Sequence, residues 1–378
     1  MLRNDARTLL YIRRHTYVPC PEVLGFDDSL TNTLGAPYII MREMEGIPSN
    51  KIWFDRDTDG DDDVTNADLP DAGRMHIRVN ILRSLATCMS KLQTLEFECA
   101  GTLDFDDNAD VPKVGPTYHW KPMEEMEKLS AQDLSTSKSI ECIPIHPTSG
   151  CYFMIALNER WPRREDAFAA ISNGRRCILR TMLSNTPFSH STRLGDAKET
   201  FLRRHDDLDF QNILCDEEGN VVGIIHWDKC RATPRCLGFA ALPAFLTKDW
   251  APGFSSLHDI HMPWELAEYR SVYARAMLEA TGPDGDGKNT INSAIYEAVN
   301  AALYGGHNGG SVGNLVHRLI KALATTRMFD DKDVLSRLGQ DWEMGEFKIG
   351  AELKEFIAPQ SHVEAIEPWF FPGSDQES

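Results

Sequence analysis

The chain has 378 residues, 42 % hydrophobic and 25 % charged, enough for about two domains at roughly 150 residues each and ordinary for a globular protein. Its 26 glycines and 20 prolines exclude a fibrous or broadly disordered chain. With 39 Lys and Arg against 57 Asp and Glu, the net charge is −18. A field of that sign repels nucleic acid and anionic membrane, so neither is expected as a partner.

The nine cysteines are irregularly spaced, without a C-x-x-C pair, and read as reduced thiols of an intracellular protein. The start, Met1 to Arg7, is charged at once and has no apolar h-region. The most apolar stretch, Cys236 to Leu246, is far short of a membrane span and contains Pro243. A soluble, cytoplasmic protein is the expectation.

In chain order, helical spacing runs over Leu2–Arg14 and ends at Pro19 and Pro21. Short strands are expected at Glu22–Phe26 and Pro37–Met44. A helix follows from about Arg74 to Leu95, with Leu82, Leu85, Met89, Leu92 and Leu95 on one face. Cys99–Ser149 reads as strand-like pieces and polar loop. Helices are expected again near Cys151–Trp161 and Arg175–Leu183, then β-type runs at Thr200–Arg203, Asn212–Cys215 and Val221–Ile225. The last two are joined by the turn Asp216-Glu217-Glu218-Gly219-Asn220. Three more helices are predicted at Trp264–Ala280, Thr290–Tyr304 and Val312–Thr325, and a frayed tail after Pro372.

Three motifs tempt and fail. Asp55-x-Asp57-x-Asp59-Gly60 starts like a calcium loop, but its twelfth position is Asn66 rather than a bidentate Glu. Gly282 to Asn289 nearly spells a phosphate-binding loop, yet it lacks the final Ser or Thr and follows a helix, so it reads as a helix C-terminal loop. Gly305 to Gly310 reads as a connection.

His205-Asp206-Asp207-Leu208-Asp209-Phe210-Gln211-Asn212-Ile213-Leu214 is different in kind. Phosphoryl transfer needs a carboxylate to receive the acceptor's proton and an oxygen ligand for a metal that neutralises phosphate charge. Asp207 fits the first role and Asn212 the second. Past the hairpin, Ile224-Ile225-His226-Trp227-Asp228 stands where a second metal ligand would lie.

This segment resembles the fungal branch of the aminoglycoside phosphotransferase family, within the protein-kinase-like superfamily. The resembling blocks are His205–Leu214, Gly223–Asp228, Pro234–Gly238 and Leu246–Trp250. Upstream, Leu2–Asp5, Tyr11–Thr16, Val18–Val23 and Gly35–Met41 are similar to that family's first lobe from its helix αC to the hinge. The resemblance implies an α+β, protein-kinase-like fold with a truncated N-lobe and hinge over residues 1–46, and a mostly helical C-lobe over 47–372. It also implies Asp207 as catalytic base, metal ligation at Asn212, His226 and Asp228, nucleotide binding by the backbone at Arg42 and Met44, and ATP with Mg2+ as cofactors.

The chain departs from that pattern. No lysine precedes Lys51 and no glycine precedes Gly25, so the phosphate-covering strands and their lysine have no counterpart, and Asp5 in the αC position has no partner lysine. His226 replaces the metal-binding Asp, and an imidazole is a poor ligand for Mg2+. Losing one preorganised charge-stabilising group commonly costs about 10²–10³ in rate. The expectation is a homologue of ATP-dependent small-molecule phosphotransferases, impaired in this chain and of unknown acceptor. The alternatives are a pseudokinase-type binding or scaffold protein, or an incomplete gene model of an active enzyme. Asp207, Asn212 and His226 are expected to converge at one end of the 212–225 hairpin, across a cleft from the hinge.

Overall fold

A computed structural model describes residues 2–54, 70–106, 111–120, 126–127, 139–166, 169–189, 198–228, 230–251, 253–255, 259–304 and 309–364. The acidic Asp55–Asn66 stretch, residues 305–308 and the tail beyond Pro372 lie outside them. The described residues form an α+β fold whose strand pairings are all antiparallel.

Helix α1 (Leu2–His15) buries Ala6, Thr8, Leu9 and Ile12 and carries Asp5 in its first turn with Arg13, Arg14 and His15 in its last, charges that oppose the helix dipole. Strands β1 (Val23–Asp27) and β2 (Tyr38–Met41) pair, among the described residues, only with each other. The chain then passes Gly46 into β3 (Ile47–Pro48) and α2 (Ser49–Phe54). Gly46 has φ +132°, and a Cβ there would lie 2.7 Å from Val222 Cγ2. Glycine alone lets this segment press against the hairpin that carries the candidate site.

Helix α3 (Ala72–Ser90) is capped by Asp71, whose side chain accepts from Arg74 N. It delivers a fully buried Arg78, which donates to Trp53 O at 3.1 and 2.8 Å and to Tyr269 Oη at 2.8 Å. Burying a guanidinium is costly unless its donors are met; here they tie α2 and α3 to a later helix.

Strands β4 (Glu96–Phe97), β5 (Gly101–Asp104) and β6 (Lys113–Gly115) belong to a five-stranded sheet, while β7 (Thr117–Trp120) and β8 (Ile140–Ile143) form a separate pair. Helices α4 (Ser149–Arg160) and α5 (Ala169–Leu183) follow. Strands β9 (Phe201–Arg203) and β12 (Arg231–Thr233) complete the large sheet in the order β4-β9-β12-β5-β6, and β10 (Ile213–Cys215) and β11 (Val221–Ile224) join β3 in the order β11-β10-β3. After the early passage from β3 through α2 and α3 to β4, the chain therefore crosses between the two sheets twice more, at residues 204–212 and 225–230.

The rest is helical: α6 (Pro263–Thr281), α7 (Ser293–Tyr304), α8 (Gly309–Ala322), α9 (Asp331–Gln340) and α10 (Trp342–Phe356). The last two were not expected from the sequence. Their buried residues are few, Val334, Leu335 and Leu338 on α9 with Ile349 and Leu353 on α10, on otherwise charged helices. What places α9 is close backbone contact with α5: a Cβ on Gly174 would lie 2.0 Å from Leu335 O, and one on Gly339 would lie 1.9 Å from Ala170 O. No helix among the described residues is long and apolar enough to cross a membrane.

The β1–β2 pair leaves apolar side chains in water, with Leu24 57 %, Ile40 52 % and Met41 46 % exposed. A two-stranded sheet with open edges and an apolar face is a template for self-association. The full chain is expected to elute as multiple species in size-exclusion chromatography, and Leu24→Lys with Ile40→Lys to shift it toward monomer. A wild-type chain that is already a single sharp monomer would contradict this.

Candidate active site

The two crossings lie side by side and are joined by hydrogen bonds. Ile225 N donates to Asn212 O at 2.9 Å, and Arg204 N donates to Arg231 O at 3.1 Å. His205 spans the gap: its Nε2 is 2.9 Å from Ile225 O, and Asp207 N lies 3.3 Å from its Nδ1. A carbonyl can only accept and a peptide N–H can only donate. The proton therefore sits on Nε2, and Nδ1 is the acceptor. The ring is buried and meets Trp227 edge-on at 4.6 Å. Burial pushes its pKa down from 6.5 to about 4, only partly offset by the bond to Ile225 O and by Asp206 and Asp207.

Asp207 is exposed, whereas Asn212 is only 2 % exposed. Asn212 Nδ2 donates to Asp207 Oδ2 at 2.8 Å and to Asp207 O at 2.7 Å. Both amide hydrogens are thus spent on Asp207, holding its carboxylate in place and leaving Asn212 Oδ1 as the atom available to ligate a cation. The short helical turn Phe210–Asn212, opened by Asp209 accepting from Phe210 N, brings these two residues together across five positions of sequence.

His226 follows β11 with φ +64°, the one non-glycine residue at positive φ among the described residues. It is flanked by anchored neighbours, Ile225 through both its backbone groups and Trp227 through its indole N–H to Ile224 O at 2.6 Å. The side chains of His226 and Asp228 are 62 % and 50 % exposed, with Nδ1 3.5 Å from Oδ1. The sequence-predicted residues Asp207, Asn212, His226 and Asp228 thus all lie on the two crossings.

Just past β2, Arg42 N donates to Glu22 O at 2.8 Å, and the Arg42 guanidinium pairs with Glu22 at 2.7 Å. The Met44 methyl lies against Gly223 of β11, 2.9 Å from where a Cβ would stand.

Sequence reasoning missed the charged frame beneath the site. Asp206 has Arg204 Nε at 3.0 Å and Arg231 Nε at 3.3 Å, both off the hydrogen-bonding direction, and Arg204 also pairs with Glu297 on α7. Arg203 is fully buried without hydrogen bonds from its three guanidinium nitrogens; burial lowers its pKa, and Cys230, Asp206 and Asp5 act in the opposite sense. Asp5, expected to be without a partner, is therefore within electrostatic reach of Arg203. The Arg203-Arg204 pair directly before the motif was the available signal.

Two resembling blocks are structural. Arg235 grips Asp286 with two bonds, 2.8 and 2.6 Å, with both side chains buried, so the phosphate-loop lookalike around Asp286 is a helix-end loop pinned from inside. Asp249 is likewise buried against Arg270 and Arg318.

No family model and no curated protein matches the chain. Among solved structures, one from Ralstonia eutropha JMP134 described as a "putative aminoglycoside phosphotransferase" is similar over 94 % of this chain and 83 % of its own, at 11 % sequence identity and a TM-score of 0.39. So loose an overlap carries no argument about activity.

The Mg2+ that the resemblance implies does not fit well. Mg2+ demands hard oxygen donors in a near-ideal octahedron; here the oxygens of Asn212 and Asp228 are accompanied by a nitrogen at His226, and no group of three His, Cys, Asp or Glu among the described residues is placed to hold a metal.

His205 links pH to stability. Its folded pKa is below the unfolded value, so the unfolded chain takes up the proton first. The stabilisation is fully present above about pH 6.5 and is lost as pH falls toward 4, by an amount on the order of 3 kcal/mol. Melting temperature against pH is expected to fall through that window and to fall less steeply in His205→Gln, which keeps a donor and an acceptor but cannot titrate. An identical slope in the variant would refute the assignment.

Proposed function

We propose that the chain carries a phosphotransferase-type catalytic loop, with Asp207 as the base for a hydroxyl acceptor, and that with Mg2+ and ATP this site is impaired. The observation that supports it is the clamp on Asp207: Asn212 holds its carboxylate and carbonyl while His205 holds its N–H. An exposed carboxylate so oriented suits proton acceptance from an alcohol. As the alcohol oxygen bonds to the terminal phosphorus of ATP, its proton passes to Asp207, the bond to the bridging oxygen breaks, and ADP leaves.

Residues 1–46 would form the nucleotide side, meeting adenine through the Arg42 carbonyl and the Met44 backbone. The triphosphate would then face His226 where the resemblance implies a metal-binding carboxylate. Charge-assisted contacts to phosphate contribute about 1.5–3 kcal/mol each, so the loss of one weakens binding by roughly one to two orders of magnitude. A second reading, a non-catalytic binding module of pseudokinase type, is favoured by His226 standing in place of a carboxylate. The acidic net charge of −18 suits a cationic small-molecule acceptor in either case.

Titration followed by thermal shift and by ligand-observed NMR tests this. Adenosine and ATP are expected to bind with similar affinities of about 1–10 mM, a range where only adenine contacts act. Mg2+ is expected to add no shift at sub-millimolar ATP, in the wild type or in His226→Asp. Asp207→Asn should leave nucleotide binding unchanged while abolishing any residual transfer. Tight Mg2+-dependent ATP binding would end the impaired reading, and absence of binding even at about 10 mM would end the nucleotide reading.

A further inference from the structure

We propose that a cavity between the end of α4, helix α5 and the α9–α10 junction binds a small phosphate-bearing anion. It is built from elements that contribute nothing to the two crossings carrying Asp207 and His226, and it does not rest on the phosphotransfer reading above.

The cavity measures about 310 Å³ and is lined by Arg163, Arg176 and Arg180, with residues 338–341 and Glu343 completing it. Arg176 and Arg180 stand one helical turn apart on α5, and Arg163 lies just past the end of α4. The close approach of Gly339 to Ala170 O brings the α9–α10 junction over them. Three guanidinium groups thus meet at one cavity in a protein whose net charge is −18. Like charges one turn apart on a helix repel each other. An anion lying between them replaces that repulsion with attraction.

Arg176 is the fixed member. It is half-buried and donates to Leu157 O at 3.1 Å, to Trp161 O, and to Asn158 Oδ1 at 2.6 Å. Those acceptors close the end of α4, and all three are neutral. Burial lowers its pKa, and the neighbouring charges of Arg180 and Arg163 push the same way. Of the two carboxylates at the cavity, Asp341 is committed to α10, where its Oδ1 accepts from Met344 N at 3.1 Å. Glu343 is exposed. The positive sign prevails.

The class of ligand follows from donor geometry and size. Arginine presents paired N–H groups that match the oxygens of a phosphate two at a time. The volume stands at the lower end of the roughly 300–1,000 Å³ typical of small-molecule sites, which leaves room for a small body attached to the phosphate. Asn173 also lines the cavity, but its amide is spent on both backbone groups of Arg164, at 2.8 and 3.0 Å. Gln340 is then the neutral side chain for the hydroxyls of that body. A phosphate monoester of a small polyol meets these requirements.

The experiment is 31P NMR titration of inorganic phosphate and of glycerol 3-phosphate with the full chain, at constant ionic strength and without Mg2+. Glycerol, followed by saturation transfer, serves as the uncharged probe. Both phosphates are expected to bind saturably at one equivalent, glycerol 3-phosphate the more tightly, and glycerol not at all. Arg163→Ala and Arg180→Ala should each weaken binding about 10-fold, the loss of one charge-assisted contact. Glu343→Gln, which removes a like charge from the cavity, should tighten it severalfold. Arg176 is left intact because it closes α4. Lys113→Ala, which removes an exposed cation on β6, and Asp207→Ala in the candidate active site should leave the affinity unchanged. Broadening that never saturates, an unaltered affinity in both arginine variants, or equal weakening by Lys113→Ala or Asp207→Ala would overturn the proposal.

Discussion

Much of the molecule depends on one neutral imidazole. Two stretches of chain, 204–212 and 225–230, cross between the five-stranded and three-stranded sheets, and the β9–β12 and β10–β11 pairings hold their ends side by side. Between those ends His205 fixes the loops, donating to Ile225 O on one crossing and accepting from Asp207 N on its own. The bond pattern works only for the uncharged ring, and burial keeps it uncharged. Asp207, Asn212, Ile225 and His226 take their relative places from that contact and from the strand-like bond between Asn212 and Ile225.

Charge is handled below the site by matching rather than exclusion. An acidic protein that buries Arg78, Arg203 and Arg235 must supply each with partners, since an unmatched buried charge is far more costly than a matched one. Arg78 uses a backbone carbonyl and a tyrosine hydroxyl, and Arg235 uses a two-pronged grip on Asp286. Arg203 relies instead on charge at a distance, with Asp5 of the first helix and Asp206 of the crossing acting on it.

The segment that follows β2 meets the site through packing. Gly46 lies on Val222 and Met44 on Gly223, both contacts on the β11 strand that leads into His226. The small β1–β2 sheet above it contributes little apolar burial of its own, which is why its exposed side chains and open edges matter to the behaviour of the whole chain.

Periodicity alone located the early helices, the hairpin and the long helices around residues 263–322, because each has an apolar face or a turn that its own sequence specifies. The pairing of Asp207 with Asn212 was legible for the same reason: five residues and a tight turn leave little freedom. The helices at 331–340 and 342–356 were passed over, since each offers only a short apolar face among charged residues; the first is held to the 169–183 helix by close backbone contact at Gly174 and Gly339, while Gly345 of the second meets the Cys177 side chain. The roles of Arg203, Arg235, Asp249 and Asp286 were equally hidden. A motif shows which residues recur together, but whether a charged side chain faces a ligand or a buried counterion is decided only by what the tertiary fold brings within a few ångströms of it.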